Sequence, residues 1–154
     1  LYALDNLWDG LGALVVDNPD MKMFFGKVTM YPHFNQRARD MILYFLNKHF
    51  NDPDELVRPI DPVDILTDHK ELSEVITGES FKEDYKVLSQ EVRKLNENIP
   101  PLINSYINLS PSMRTFGTAV NPHFGNVEET AIMITIDDIY FDKKTRHLNT
   151  YLKE

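Results

Sequence analysis

Between Met21 and Phe50 the hydrophobic period of the chain changes from that of a strand to that of a helix, and this switch constrains the fold most. In MKMFFGKVTMYPHFNQRARDMILYFLNKHF the run Met23 to Met30 carries apolar Phe24, Val28 and Met30 and reads as a short strand. Tyr31-Pro32 breaks it. Beyond the break Phe34, Ala38, Met41, Ile42, Phe45 and Leu46 recur at helical spacing, which predicts an amphipathic helix with its apolar stripe turned to a core. Upstream, Trp8-Asp9-Gly10-Leu11-Gly12 sets two glycines at the head of another apolar helical run, Leu11 to Val16. The order is therefore glycine pair and helix, strand, helix.

A chain of 154 residues can bury roughly two-thirds of its unfolded surface, enough for one core. It has no cysteine, which removes disulfides, thiolate metal sites and thiol nucleophiles together and agrees with a reducing compartment. No apolar run approaches the ~20 residues that cross a bilayer, and no signal-peptide core is seen at the start. Leu1-Tyr2-Ala3-Leu4 reads as entry to an element already under way, so the domain is expected to be incomplete at its N-terminus. Net charge is −8, with the acidic excess mostly between Asp52 and Asp84. A phosphate backbone would be repelled by such a surface, and nucleic acid is not expected as a partner. Basic residues gather at Arg37, Arg39, Lys48, Arg58 and Lys143-Lys144-Arg146; these face either an anionic ligand or solvent.

Three stretches follow. Residues 1–50 give helix, strand and helix, with a turn at Asp17-Asn18-Pro19-Asp20 and the second helix starting near Pro32 or Asn35. Residues 51–98 are acidic and proline-bearing, with helices predicted over Thr67 to Ile76 and Ser80 to Asn96. Ser80-x-x-Glu83 fits the capping box, in which each side chain satisfies the other's free backbone donor. Residues 99–154 give a short helix, then strands at Met113 to Val120 and Thr130 to Ile136 joined by the turn-forming Asn121-Pro122-His123-Phe124-Gly125-Asn126. The tail after Asp142 reads as weakly structured.

Glycines opening a helix let backbone N–H groups approach phosphate oxygens, so Gly10 and Gly12 are candidates for that role; close helix packing is the alternative. None of the five histidines has metal-site spacing. His123 could be a base oriented by Glu128 or Glu129, or a plain loop residue. Tyr31 and His33 sit where strand meets helix, and either could move a proton. No serine lies in a Gly-x-Ser-x-Gly elbow. On a strand, Glu128 and Glu129 point to opposite faces and cannot share a proton.

Together LWDGLGALV, FFGKVTMYPHFNQRARDMILYFL, NIPPLINSYINLS and AVNPHFGNVEETAIMITID resemble the group of GNAT-like acyltransferases that carries the hemolysin name. That group is similar to the N-acyltransferases that make ornithine and glycine lipids from acyl carrier protein thioesters. The resemblance covers nearly the whole chain, and Ile-Pro-Pro-Leu-(x)3-Tyr with Pro-x-Phe-Gly-x-Val is its more specific part.

It implies an α+β, GNAT-like mixed sheet with flanking helices. Residues 1–50 would be the cofactor-binding helix-strand-helix, 51–98 an acidic, partly helical insertion, and 99–154 the helix and antiparallel strands that complete the domain. Gly10, Leu11, Gly12 and Ala13 would contact the pantetheine-phosphate arm. Phe25 to Met30, with Lys27, Val28 and Thr29, would lie on the splayed central strand that receives the thioester. The implied reaction moves a fatty acyl group from an acyl carrier protein or coenzyme A thioester to a small amine, without metal. Tyr31, then His33, is the candidate acid for the leaving thiolate. The implied setting is cytoplasmic, at the inner membrane surface with peripheral contact, and acyl carrier protein is the implied partner. Two departures bear on this: Leu7 stands where glutamine or arginine usually opens the pyrophosphate motif, and strands carrying amine-site residues would precede Leu1. The rival expectation is a non-catalytic binding domain of the same fold. The hemolysin name implies no pore here.

Overall fold

The computed structural model describes residues 2–148. In chain order they form α1 (Tyr2–Asp17), β1 (Met23–Met30), α2 (Gln36–Phe50), α3 (His69–Val75), α4 (Phe81–Lys94), α5 (Pro101–Ile107), β2 (Arg114–Asn121), β3 (Val127–Thr135), a 3-10 turn at Ile136–Asp138, and α6 (Phe141–Leu148). The class is α+β, with helices flanking one sheet. Its order is β1-β3-β2, and both ladders are antiparallel. β3 is thus the middle strand, paired with β1 from Met23↔Thr135 to Met30↔Glu128.

The expected central strand, Phe25 to Met30, instead lies at an edge among the described strands. β2 takes one side of β3 and β1 takes the other, which leaves the far edge of β1 without a partner strand among the described residues. The hairpin turns through Gly125 and Asn126, both in the left-handed region (φ 67 and 55).

One face of the sheet is packed. Val28 and Met30 of β1 and Ile132 and Ile134 of β3 are at most 2% exposed. Against them lies the stripe Ala38, Met41, Ile42, Phe45 and Leu46 of α2, each at most 1% exposed. Burying side chains of this size contributes about 1.5–3 kcal/mol each. α2 starts after Asn35, whose Oδ1 accepts from the Ala38 N–H at 3.1 Å, so Pro32 precedes the helix. The acidic stretch joins the same core through Leu72, Ile76, Leu88 and Val92. Its helix α4 opens on the capping box read from the sequence, with both the Ser80 and the Glu83 bonds made.

Two buried carboxylates tie this stretch to α2. Asp84 of α4, 1% exposed, accepts from Lys48 Nζ (2.7 Å), His49 Nε2 (2.7 Å) and the Gly78 N–H (2.6 Å). Asp40 of α2 accepts from Arg39 on one oxygen. On the other it accepts from the Leu66 N–H (3.0 Å), the Thr67 N–H (2.8 Å) and Thr67 Oγ1 (2.9 Å). Burial would raise both carboxyls, but these donors outweigh it and hold both below the usual carboxylate range.

The tail after Asp142 is not weakly structured as far as Leu148; it forms α6 and docks on α1. Residues 149–154 lie outside the described residues. Among the described residues no helix is long and apolar enough to cross a membrane.

Asp84→Asn should cost about 3 kcal/mol of stability, because Lys48 loses its buried counter-charge and His49 its acceptor; urea unfolding at pH 7 measures it. The depressed pKa values fix the sign of the pH dependence. This stabilisation is complete above the unfolded value of about 3.9 and is lost as pH falls through the lower folded values. Unfolding midpoints should therefore hold steady down to about pH 5 and drop steeply below about pH 4, with a shallower drop in Asp84→Asn.

Candidate functional site

The glycine pair does not open a helix. Gly10 and Gly12 lie in the middle of α1, which begins at Tyr2, so the N–H groups left free by the helix belong to its first turn and not to these positions. The expected phosphate cradle is thereby corrected. What Gly12 does is steric. A Cβ built there would sit 2.2 Å from the carbonyl oxygen of His147, so the missing side chain lets α6 lie directly on α1. Gly10 is exposed, and no atom comes within 4 Å of its would-be Cβ. Leu11 is half-buried beside Trp8 and Val15 in an apolar cavity that also reaches Phe24 of β1 and Ile136. Ala13 is half-buried too.

The contact of α6 with α1 creates a pair that sequence reasoning missed. His147 Nδ1 stands 2.7 Å from Asp9 Oδ1 across a separation of 138 residues. With the carboxylate accepting, Nδ1 carries the hydrogen and Nε2 is left as the free nitrogen. Nε2 has no partner among the described residues, and His147 lines a polar cleft of about 200 Å³ with Asn104, Ser105, Asn108, Lys143 and Arg146. The only signal for the pair was helical spacing in a tail that reads as loose, and no local motif links it to Asp9.

Trp8 packs edge-on against Tyr106 of α5, with ring centroids 5.6 Å apart. Burial raises the Tyr106 phenol pKa. The Tyr106 hydroxyl reaches 3.7 Å from where a Cβ of Gly26 would be, so α5 closes on β1 at its glycine.

Along β1, Val28 is 1% exposed and belongs to the core, so its side chain is closed to ligand. Lys27 and Thr29 take the opposite face. Lys27 Nζ pairs with Glu129 Oε2 at 2.7 Å, and Asn121 Nδ2 donates to the same oxygen at 3.0 Å. Glu128 turns the other way. Its Oε1 accepts from Arg39 at 2.7 Å, while its Oε2 is buried without a partner in the described structure. The two carboxylates thus part as alternation requires. Bonds to Asp40 and Glu128 outweigh the opposing effect of burial and raise the Arg39 pKa.

Tyr31 and His33 are brought together. Their rings stack at 5.7 Å and 13°, both exposed, just past the end of β1. Neither hydrogen-bonds the Arg39–Glu128 pair. They are far from the glycine region. Tyr31 follows Phe24, which borders the Gly12 cavity, by roughly 20 Å of extended strand. His123 sits exposed in the hairpin turn, bonded through its N–H to Asn121. No three His, Asp or Glu side chains converge as a metal site among the described residues.

The chain is 58% identical over all 154 residues to a glycine Nα-acyltransferase of Phocaeicola vulgatus, covering 47% of that protein. It is 59% identical over 153 residues to a glycine Nα-acyltransferase of Bacteroides thetaiotaomicron, covering 45% of it. The chain therefore spans about half the length of the curated relatives it matches. No family model matches it. No solved structure matches it either.

The two glycines should respond oppositely to alanine. Gly10→Ala should gain about 0.5–1 kcal/mol from helix propensity. Gly12→Ala should lose stability despite the same gain, because its Cβ forces α6 off α1. Thermal unfolding of the two variants checks this; a rise for both would refute the packing role of Gly12.

Proposed function

We propose that this chain is the thioester-receiving part of an N-acyltransferase that moves a fatty acyl group from a thioester to the amine of glycine. The observation that carries the reading is the 58% identity over all 154 residues to a glycine Nα-acyltransferase. The donor is acyl carrier protein or coenzyme A, the product enters amino-acid lipid synthesis, and the fold is GNAT-like in this proposal. A cytoplasmic setting with peripheral contact at the inner membrane surface goes with it.

The open edge of β1 supports the reading physically. An unpaired strand presents backbone N–H groups at every second residue, and such donors stabilise a carbonyl oxygen as it gains charge. Glycine's amine attacks the thioester carbon; the N–C bond forms, the C–S bond breaks, and no enzyme-bound acyl intermediate arises. A base or water chain takes the amine proton, and an acid returns one to the leaving thiolate. Tyr31, at the end of β1, is the acid in this proposal, with His33 stacked on it second. Lys27 and Thr29 flank the arm of the thioester on the outer face. Gly10 to Ala13, inside α1, donate nothing to its phosphate. Because Gly12 serves packing, a non-catalytic binding domain remains the second reading, and it would bind thioester without forming product.

The test uses protein made from its whole coding sequence, incubated with acyl carrier protein or coenzyme A thioester and glycine, with products resolved by mass. N-acylglycine should appear with at least one donor; none with either sinks the reading. Tyr31→Phe should lower turnover by about 100-fold, the usual worth of a positioned acid, with little change in the KM for glycine. Unchanged turnover removes Tyr31 from the mechanism.

A further inference from the structure

Burial raises the phenol pKa of two tyrosines, Tyr85 and Tyr106, and they differ in one respect. Tyr85 of α4 donates its hydroxyl to Asn104 Oδ1 at 2.7 Å. Tyr106 of α5 makes no hydrogen bond through its hydroxyl among the described residues, although that oxygen is not sealed from solvent. A phenol drawn out of water ordinarily finds a partner, because an unmade bond there costs part of its hydration. Because burial raises its pKa, Tyr106 stays protonated at neutral pH and remains a donor.

The ring has a fixed address. Trp8 of α1 packs edge-on to it at 5.6 Å, and α5 is anchored in the core through Ile103 and Ile107. The hydroxyl stands 3.7 Å from where a Cβ of Gly26 would be, against the backbone of β1. Gly26 alternates with Val28 and Met30, so Tyr106 meets the strand from its packed side. On the outer side Gly26 borders an open hollow with Phe25, Lys27, Ala119 and Ala131. A glycine inside a strand often marks where another backbone or a ligand comes close. β1 is also the strand whose far edge has no partner strand among the described residues.

A lone donor beside an open strand edge suits an extended molecule with a carbonyl acceptor, lying as a further strand would. In the acyl-transfer reading, on which this inference rests, that molecule is the arm common to coenzyme A and acyl carrier protein thioesters. The arm is an extended chain with two amides. Gly26 lies five residues before Tyr31, about 17 Å along the strand. With the sulfur near Tyr31, it is the amide farther from the sulfur that comes toward Gly26.

We propose that the Tyr106 hydroxyl donates a hydrogen bond to the carbonyl of that far amide and so sets how the acyl donor sits along β1. Tyr106 binds the donor and exchanges no proton with it; the proton for the leaving thiolate stays with Tyr31.

Protein made from its whole coding sequence is assayed with glycine and three kinds of dodecanoyl thioester. One is borne by coenzyme A or by carrier protein, and turnover of one or the other assigns the source of the arm. The second is S-dodecanoyl pantetheine, with both amides. The third is S-dodecanoyl N-acetylcysteamine, which has only the amide nearest the sulfur. Tyr106→Phe removes one oxygen and keeps the ring against Trp8. It should raise the KM for the first two roughly three- to tenfold with little change in kcat, and the rise should be confined to donors that carry the far amide. Gly26→Ala puts a methyl in ordinary contact with the hydroxyl, so it should reproduce the effect while keeping or raising thermal stability. Together the two changes should cost no more than the larger alone.

An equal rise for all three thioesters makes Tyr106 a part of the fold only and overturns the proposal. So does an unmoved KM, or a fall in kcat with KM unmoved. Calorimetric titration of coenzyme A, and of carrier protein bearing its arm, needs no turnover and scores acyl transfer separately. Binding that Tyr106→Phe weakens, without N-acylglycine, keeps this inference and defeats the acyl-transfer reading. N-acylglycine formation that Tyr106→Phe leaves untouched defeats this inference alone. Neither binding nor product defeats both.

Discussion

Helix α2 is the element on which the rest of the structure hangs. Its apolar stripe fills the packed face of the sheet, and each of its ends carries a charged group that hydrogen-bonds into the acidic stretch. Asp40, near its start, gathers the backbone of Leu66 and Thr67; Lys48 and His49, at its end, clasp Asp84 of α4. The carboxylates are buried, so their worth lies less in net stability than in the cost of any arrangement that leaves them unpaired. A residue stretch rich in acid and proline is thereby fixed in one place. Exposed pairs such as Lys27–Glu129, with the lysine 57% exposed, contribute at most about 1 kcal/mol and do no comparable ordering.

What could be read from the sequence was local, and what could not was long-range. The strand-to-helix switch at Tyr31-Pro32 was legible because both periods are strong and a proline separates them. The Ser80–Glu83 box was legible because both partners of the cap lie within three residues. The place of β3 in the middle of the sheet was not, since alternation fixes which face a residue takes but not which strand lies beside it. Gly12 was misassigned for a related reason. A glycine that admits another helix and a glycine that admits a phosphate look alike until the neighbour is known, and the neighbour here is 135 residues away, at His147. α6 itself reads as loose because its polar residues outnumber its apolar ones; its docking on α1, not its own propensity, makes it a helix.

The sequence-derived site residues consequently fall into two places. Tyr31 and His33 stack at the far end of β1. Leu11 and Gly12 border the cavity beneath α6, level with Phe24. Lys27 and Thr29 lie between them on the outer face of the edge strand, whose neighbours Met23 and Phe25 are more than half exposed. A thioester laid along this edge could place its reacting carbon near Tyr31, where the strand ends and the chain turns into α2. The α1–α5–α6 surface is set apart from that end by most of the strand's length, so substitutions at the two places should act independently.

That separation also bears on the local electrostatics of an acidic protein. At physiological salt a charge is screened beyond about 8 Å, so the acidic excess around Asp52 to Asp84 is felt weakly by a ligand seated elsewhere. What matters is the few groups in contact. At the α6 end Lys143, Arg146 and His147 line one cleft, with His147 held by Asp9. Asp9 fixes the ring, its Oδ1 standing 2.7 Å from Nδ1. Removing Asp9 would leave the cleft with its lysine and arginine but without an oriented imidazole.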